Sequence, residues 1–159
     1  EKAANVARHQ DWRSAFDSLE LCIFNNLAPE SIAALVSAAT GFELGVEDLM
    51  TIGERAWNMK RLINHRLGLT RQDDRLPKAL LEPLPDGPTA GYVLDLQSML
   101  AAYYLARGWD AITGQPTAEK LAELDLAWAL EFQTARQTAS TSLKPEIPVG
   151  STLPPARPF

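Results

Sequence analysis

Few residues in this chain have the chemistry to act on a substrate or hold a cofactor. Cys22 is the only cysteine of the 159 residues, and His9 and His65 are the only histidines. A lone thiol forms no internal disulfide and cannot complete a zinc or iron–sulfur site, both of which take four ligands. Catalysis by a thiolate needs a base within hydrogen-bonding reach, and nothing in the spacing brings His9 or His65 to Cys22. Taken by spacing alone, Cys22 is a small buried hydrophobe, or a metal ligand whose partners lie outside the sequence. Glu54 and Arg55 lie inside a strong helical pattern and read as solvated side chains able to pair with Lys60 or Arg61. Asp73 and Asp74 sit between Arg71 and Arg75. Paired carboxylates suit acid–base work or cation binding, but adjacent residues rarely converge on one point, so a loop-capping role is the better expectation. No Gly-rich phosphate loop, GxSxG elbow, HExxH or paired CxxC occurs.

The elements that carry these residues read as helices. A first helix is predicted over about Lys2 to Phe16, with Val6, Trp12 and Phe16 as apolar positions. DSLELCIFNN follows as a connection, since Asp17, Ser18 and the Asn25-Asn26 pair favour turns and caps. A second helix starts at Pro29, a good first-turn residue, and stops at Gly41. The third covers Val46 to Arg66, with Val46, Leu49, Met50, Gly53, Trp57 and Ile63 near one stripe, acidic residues in its first turn and Arg66 in its last. Between Gly68 and Gly91 a Pro/Gly-rich stretch is predicted to be a structured loop wrapping a core, with one short helix at Lys78 to Leu81. Leu94 to Arg107 restores helical periodicity, Gly108 ends it, and Thr117 caps one more short helix.

The expected fold class is therefore all-α, an irregular multi-helix domain over residues 1–133. Residues 134–159 are rich in Ser, Thr and Pro and are expected to form a flexible tail. A formal charge of −5 and a pI near 5.0 argue against nucleic-acid binding, which needs a basic face. No apolar run approaches the ~20 residues that span a bilayer. The single cysteine fits a reducing compartment, so the expected location is cytoplasmic. The first residue is Glu1 rather than Met, which fits a piece of a longer protein. By spacing and composition alone, this is a helical domain with no self-contained active site.

Three strings, read together, carry a resemblance. GERAWNMKRLINHRLGLTRQDDRLPKALLEPLPDGP matches a family pattern at Gly53, Glu54, Arg55, Arg61, Asn64, Arg66, Gly68, Asp73, Asp74, Leu76 and Pro77. MLAAYYLARGWD followed by GQPT is the second string. The third is DSLELCIF, which is similar to an Asp-x-x-Gly-Leu-Cys motif. Together they resemble the C-terminal helical region of the tungsten-containing aldehyde ferredoxin oxidoreductases, over roughly residues 10 to 126.

The resemblance implies much that spacing does not. Enzymes of this family oxidise aldehydes to carboxylic acids and pass the electrons to ferredoxin. Their tungsten (molybdenum in some relatives) is held by a bis-pterin, beside a 4Fe-4S cluster, on an N-terminal β-rich base that helical domains cover. By that likeness Cys22 would be the fourth cluster ligand, the other three coming from upstream. Asp17 would contact a pterin, and Leu21 would pack beside the cofactors. No catalytic residue is expected in this chain, since the family's acid–base residues should lie upstream of Glu1. The implied partners are the missing N-terminal portion, ferredoxin or a similar electron carrier, and a small aldehyde; the chain alone should be inactive. One position departs from the pattern: Glu20 stands where the family has Gly, a residue that allows positive φ or close backbone approach. The competing reading is a non-catalytic helical interaction module that kept the scaffold and lost the cofactors.

Overall fold

A computed structural model describes residues 1–22, 24–25 and 27–130. The expected tail, 134–159, lies outside these. Five α-helices form the described part: α1 (Lys2–Ser18), α2 (Pro29–Thr40), α3 (Val46–Arg66), α4 (Leu96–Arg107) and α5 (Ala118–Glu123). Single 3₁₀ turns lie at Arg71–Asp73, Lys78–Leu80 and Ala127–Ala129. Among the described residues there is no strand, only an isolated bridge between Trp109 and Pro116. The all-α expectation holds.

The long helix α3 is the axis. It lies alongside α1, and the two run in the same direction. Arg8 pairs with Glu47 near their N-terminal ends, Gly53 meets Asp11 in the middle, and Lys60 stands beside Asp17 near the end of α1. Gly53 is where the backbones touch: a Cβ there would sit 1.9 Å from the Asp11 carbonyl oxygen. Any larger residue would wedge the helices apart.

Two apolar clusters form on α3. Phe16, Ile32, Ala33 and Leu49 join α1, α2 and the start of α3. Leu62 meets Leu121, Leu124, Leu126 and Ala129 from α5 and the turn beyond it. The predicted apolar stripe needs one correction. Leu62 carries the lower part of α3 into the core, whereas Ile63 is about half exposed. Over a helix this long, a 3.6-residue repeat drifts off a fixed stripe, and the partner helix picks the neighbour.

Caps explain the helix limits. Asp48 accepts a hydrogen bond from the Gly45 N–H (2.7 Å) at the start of α3. Asp95 accepts from the Ser98 N–H (3.1 Å), which sets the start of α4 at Leu96 rather than Leu94. Thr117 caps α5 through the Lys120 N–H, as predicted. The segment between α3 and α4 wraps the core only over its first part: Asp74 and Leu76 are half-buried, while nearly every residue from 77 to 93 is exposed. That outer part is held by its own backbone bonds, such as Gly91 N–H to the Leu84 carbonyl (2.9 Å).

Candidate functional site

The turn that ends α1 carries Asp17, Leu21 and Cys22. Its geometry is a Schellman ending: the Leu21 N–H returns to the Phe16 carbonyl (3.1 Å) and the Glu20 N–H to the Asp17 carbonyl (3.2 Å). Such an ending needs one left-handed residue just past the helix. That residue is Glu20, with φ +54°. It also favours an apolar side chain at the next position, packed back on the last turn. Leu21 does this, lying half-buried against the cluster that contains Phe16 and Ile32. The spacing of Asp-x-x-Gly-Leu-Cys is thus that of a helix ending: the Gly position supplies the positive φ, the Leu anchors the turn, and the Cys comes next. A Glu in the Gly position keeps the fold of the turn at a cost of roughly 1 kcal/mol.

Cys22 is exposed, not a core thiol. That overturns the reading based on spacing alone, which made it a buried hydrophobe; the anchoring falls to Leu21, and the chain has already turned outward at the next residue. The Cys22 carbonyl accepts the Asn25 N–H (2.9 Å), which closes the following turn. Asp17 is also largely exposed, with one oxygen 4.0 Å from Lys60 Nζ. A cation there suits the negative end of the α1 dipole as well as the carboxylate. Among the described residues, no group of three or more His, Cys, Asp and Glu is placed to hold a metal ion.

The two longer strings form something different, a buried polar joint. Arg61 grips Asp74 through two parallel hydrogen bonds (2.9 and 2.6 Å) and donates from Nε to the Gly114 carbonyl (2.7 Å). Its guanidinium lies 4.9 Å from the centre of the Trp109 ring. Gly114 has to be glycine: its φ is +69°, and a Cβ there would meet Arg61 Nη2 at 2.5 Å. Asp74 also accepts the Tyr104 hydroxyl proton. Burial, then the bond to Asp74, pushes the Tyr104 phenol up to about 12. Asn58, fully buried, accepts from Trp109 Nε1 (2.8 Å) and donates to the Glu54 carbonyl (2.9 Å).

Next to this joint, Tyr103 Oη accepts from Trp57 Nε1 (2.8 Å) and Arg107 Nε (3.0 Å) and donates to Gln10 Oε1 (2.6 Å). Arg107 then pairs with Asp11 and donates to the Ala7 carbonyl (2.9 Å). Burial pushes the Asp11 carboxyl up, against the bond and charge of Arg107, which pull it down.

Several expectations change here. Glu54 and Arg55 do not pair within their own helix. Glu54 binds Lys120 (3.0 Å), and Arg55 donates to the Leu124 carbonyl (2.7 Å) and pairs with Asp125, so both clamp α5. Asp73 and Asp74 diverge, as expected of neighbours: Asp73 closes the 3₁₀ turn on the Thr70 N–H (2.8 Å), and Asp74 serves the joint. Spacing places Tyr103 in the register of α4 and Arg107 in the RGWD helix end, but it gives neither their partners nor the roles of Asn58 and Asp11.

A family profile described as "Aldehyde ferredoxin oxidoreductase, domains 2 & 3" matches residues 1–126. The chain belongs to the aldehyde ferredoxin oxidoreductase family. Among curated relatives, it is 42% identical over 130 residues to the tungsten-containing aldehyde ferredoxin oxidoreductase of Pyrococcus abyssi, covering 79% of this chain and 21% of that protein. It is 43% identical over 122 residues to the enzyme of that name from Pyrococcus furiosus, covering 74% of this chain and 20% of that protein. The chain thus spans about a fifth of the length of these aldehyde ferredoxin oxidoreductases. A solved structure, the active site complex BamBC of benzoyl coenzyme A reductase in complex with 1,5-dienoyl-CoA, shares the fold. It matches with a TM-score of 0.64 and 22% identity, over 83% of this chain and 21% of that one.

Proposed function

We propose that this chain is the C-terminal helical part of an aldehyde ferredoxin oxidoreductase-like enzyme, and that Cys22 supplies one thiolate to a 4Fe-4S cluster. The observation that supports this best is the exposed Cys22 one residue beyond a rigid helix ending. A cluster ligand must be held in place and face outward, and the anchored Leu21 with the Schellman bonds does both. When bound, a tungsten or molybdenum bis-pterin would supply the two-electron oxidation of an aldehyde to a carboxylic acid, and the cluster a route for single electrons to ferredoxin or a similar carrier.

The chain's own residues have positioning roles. Asp17 offers a carboxylate acceptor for the N–H groups of a pterin. Lys60 offsets its charge, and Leu21 fixes the spacing between Asp17 and Cys22 while packing beside the cofactors. The buried joint around Arg61 and Asp74 ties α3 to α4 and to the loop at Gly114, while Glu54 and Arg55 hold α5. Among the described residues no helix is long and apolar enough to cross a membrane, which agrees with a cytoplasmic enzyme.

The competing reading, a non-catalytic module, drew on Glu20. Because Glu20 holds the backbone conformation that Gly would hold, its presence does not favour loss of the site. The test is anaerobic reconstitution with iron and sulfide, with and without the N-terminal portion. The proposal expects a cluster only when that portion is present; a protein that carries it and still takes up no cluster would support the scaffold-only module.

A further inference from the structure

A cleft of about 410 Å³ opens between α3, α4 and the segment after Asp74, and one of its lining residues, Lys60, stands beside Asp17 of the Cys22 turn. That volume falls within the ~300–1,000 Å³ usual for small-molecule sites. Its apolar lining includes Trp57 of α3 and Leu96 and Leu100 of α4. Lys60 and Asn64, on the same face of α3 as Trp57, and Arg75 also line it. Arg61 and Asp74, also in the lining, are already bound to each other, so they neutralise one another inside the joint. The remaining charges of the lining, Lys60 and Arg75, are both positive; the exposed Asp17 carboxylate, outside the lining, stands 4.0 Å from Lys60 Nζ. Lys60 Nζ lies 5.6 Å from the centre of the Trp57 ring, so an ammonium stands beside that apolar surface. Arg75 is exposed at the rim and contributes to holding the Asp73 carboxyl low, after that carboxyl's stronger bonds to Thr70.

We infer that this cleft binds a small organic carboxylate, with the anion between Lys60, Asn64 and Arg75 and the apolar body against Trp57, Leu96 and Leu100. The cations and the amide donor select the charge. The leucines and the indole face select a flat or short apolar body over a bare anion. This deepens the proposed function, since an acid of that class is what an aldehyde oxidation releases. Binding itself needs no cluster, so it is tested separately from the role of Cys22.

The test uses the ¹⁵N-labelled 159-residue chain and the indole N–H signals of its four tryptophans. It is titrated at constant ionic strength with sodium benzoate, with benzamide (the body without the charge) and with inorganic phosphate (the charge without the body). Benzoate should shift the Trp57 signal saturably, and the other two should bind at least roughly tenfold more weakly. Lys60→Met and Arg75→Met, both at exposed positions, should each weaken benzoate severalfold. The Trp109 signal, held inside the joint, should stay in place in both variants and report an intact fold. Benzamide matching benzoate would reduce the site to an apolar crevice, and phosphate matching it to a general anion patch. A silent Trp57 beside an intact Trp109 signal, or variants that bind like the parent, would equally overturn the inference.

Discussion

Asp11 and Arg107, 96 residues apart in sequence, form an ion pair that is almost completely shielded from water. It ties the middle of α1 to the last turn of α4, and Gln10, Ala7 and Tyr103 complete the guanidinium's bonds. Buried pairs of this kind are costly to break from one side, because the remaining charge keeps its desolvation penalty and loses its partner. Arg107→Met should lower unfolding stability by about 3–5 kcal/mol, read as a fall in the urea midpoint. Asp11→Leu combined with Arg107→Met should recover a large part of that loss. A double variant no more stable than Arg107→Met would show that the cost lies in packing rather than in the stranded charge.

Tyr104 makes the joint sensitive to alkali. The side chain is 1% exposed and its phenol is pushed up to about 12 from 10.0. The folded state therefore holds the proton more tightly than the unfolded chain. The resulting stability is fully present below pH 10 and is lost as pH rises to about 12, a loss of roughly 2–3 kcal/mol. Denaturation of the parent and of Tyr104→Phe, measured at about pH 9 and about pH 11.5, isolates this contribution. The parent should lose more stability between the two conditions than the variant. Equal losses would mean that the phenol ionises in the fold as it does in the open chain.

Glu20 tests the account of the turn. Its φ of +54° is one that glycine adopts freely and glutamate does not. Glu20→Gly should leave the fold unchanged and raise stability by up to about 1 kcal/mol, and Glu20→Val should lower it by about as much or more. Thermal melts of the three proteins give the order. Glu20→Gly melting well below the parent would show that the Glu side chain holds the turn, and not the backbone alone.

The sequence made the helices and their ends legible because caps and glycines are local signals. Pro29, Gly41, Thr117 and Gly108 each mark a boundary where the structure has one. The turn holding Cys22 was legible as a turn, but the thiol's exposure was not. That exposure depends on Leu21 rather than Cys22 facing the cluster of α1 and α2, which residue type alone does not decide. The partners of Glu54, Arg55, Arg61 and Arg107 were out of reach for a different reason. Each lies on another element, from Asp74 at 13 residues from Arg61 to Asp11 at 96 from Arg107. Periodicity along one helix carries no information about such pairs. Members of the family strings do meet: Asn58 of GERAWN, Asp74, Trp109 of RGWD and Gly114 of GQPT share one joint, so their resemblance reports a scaffold as much as a site.

The central claim is that Cys22 is a cluster ligand, and it has a direct measurement. Cys22→Ser is made in the whole enzyme that carries this chain, and iron, acid-labile sulfide and the spin-resonance spectrum of the reduced protein are compared with the parent. The variant should have an incomplete or absent cluster, with a normal circular dichroism spectrum showing that the helices are intact. A variant with the parent's full iron and sulfide content and an unchanged spectrum would contradict the claim.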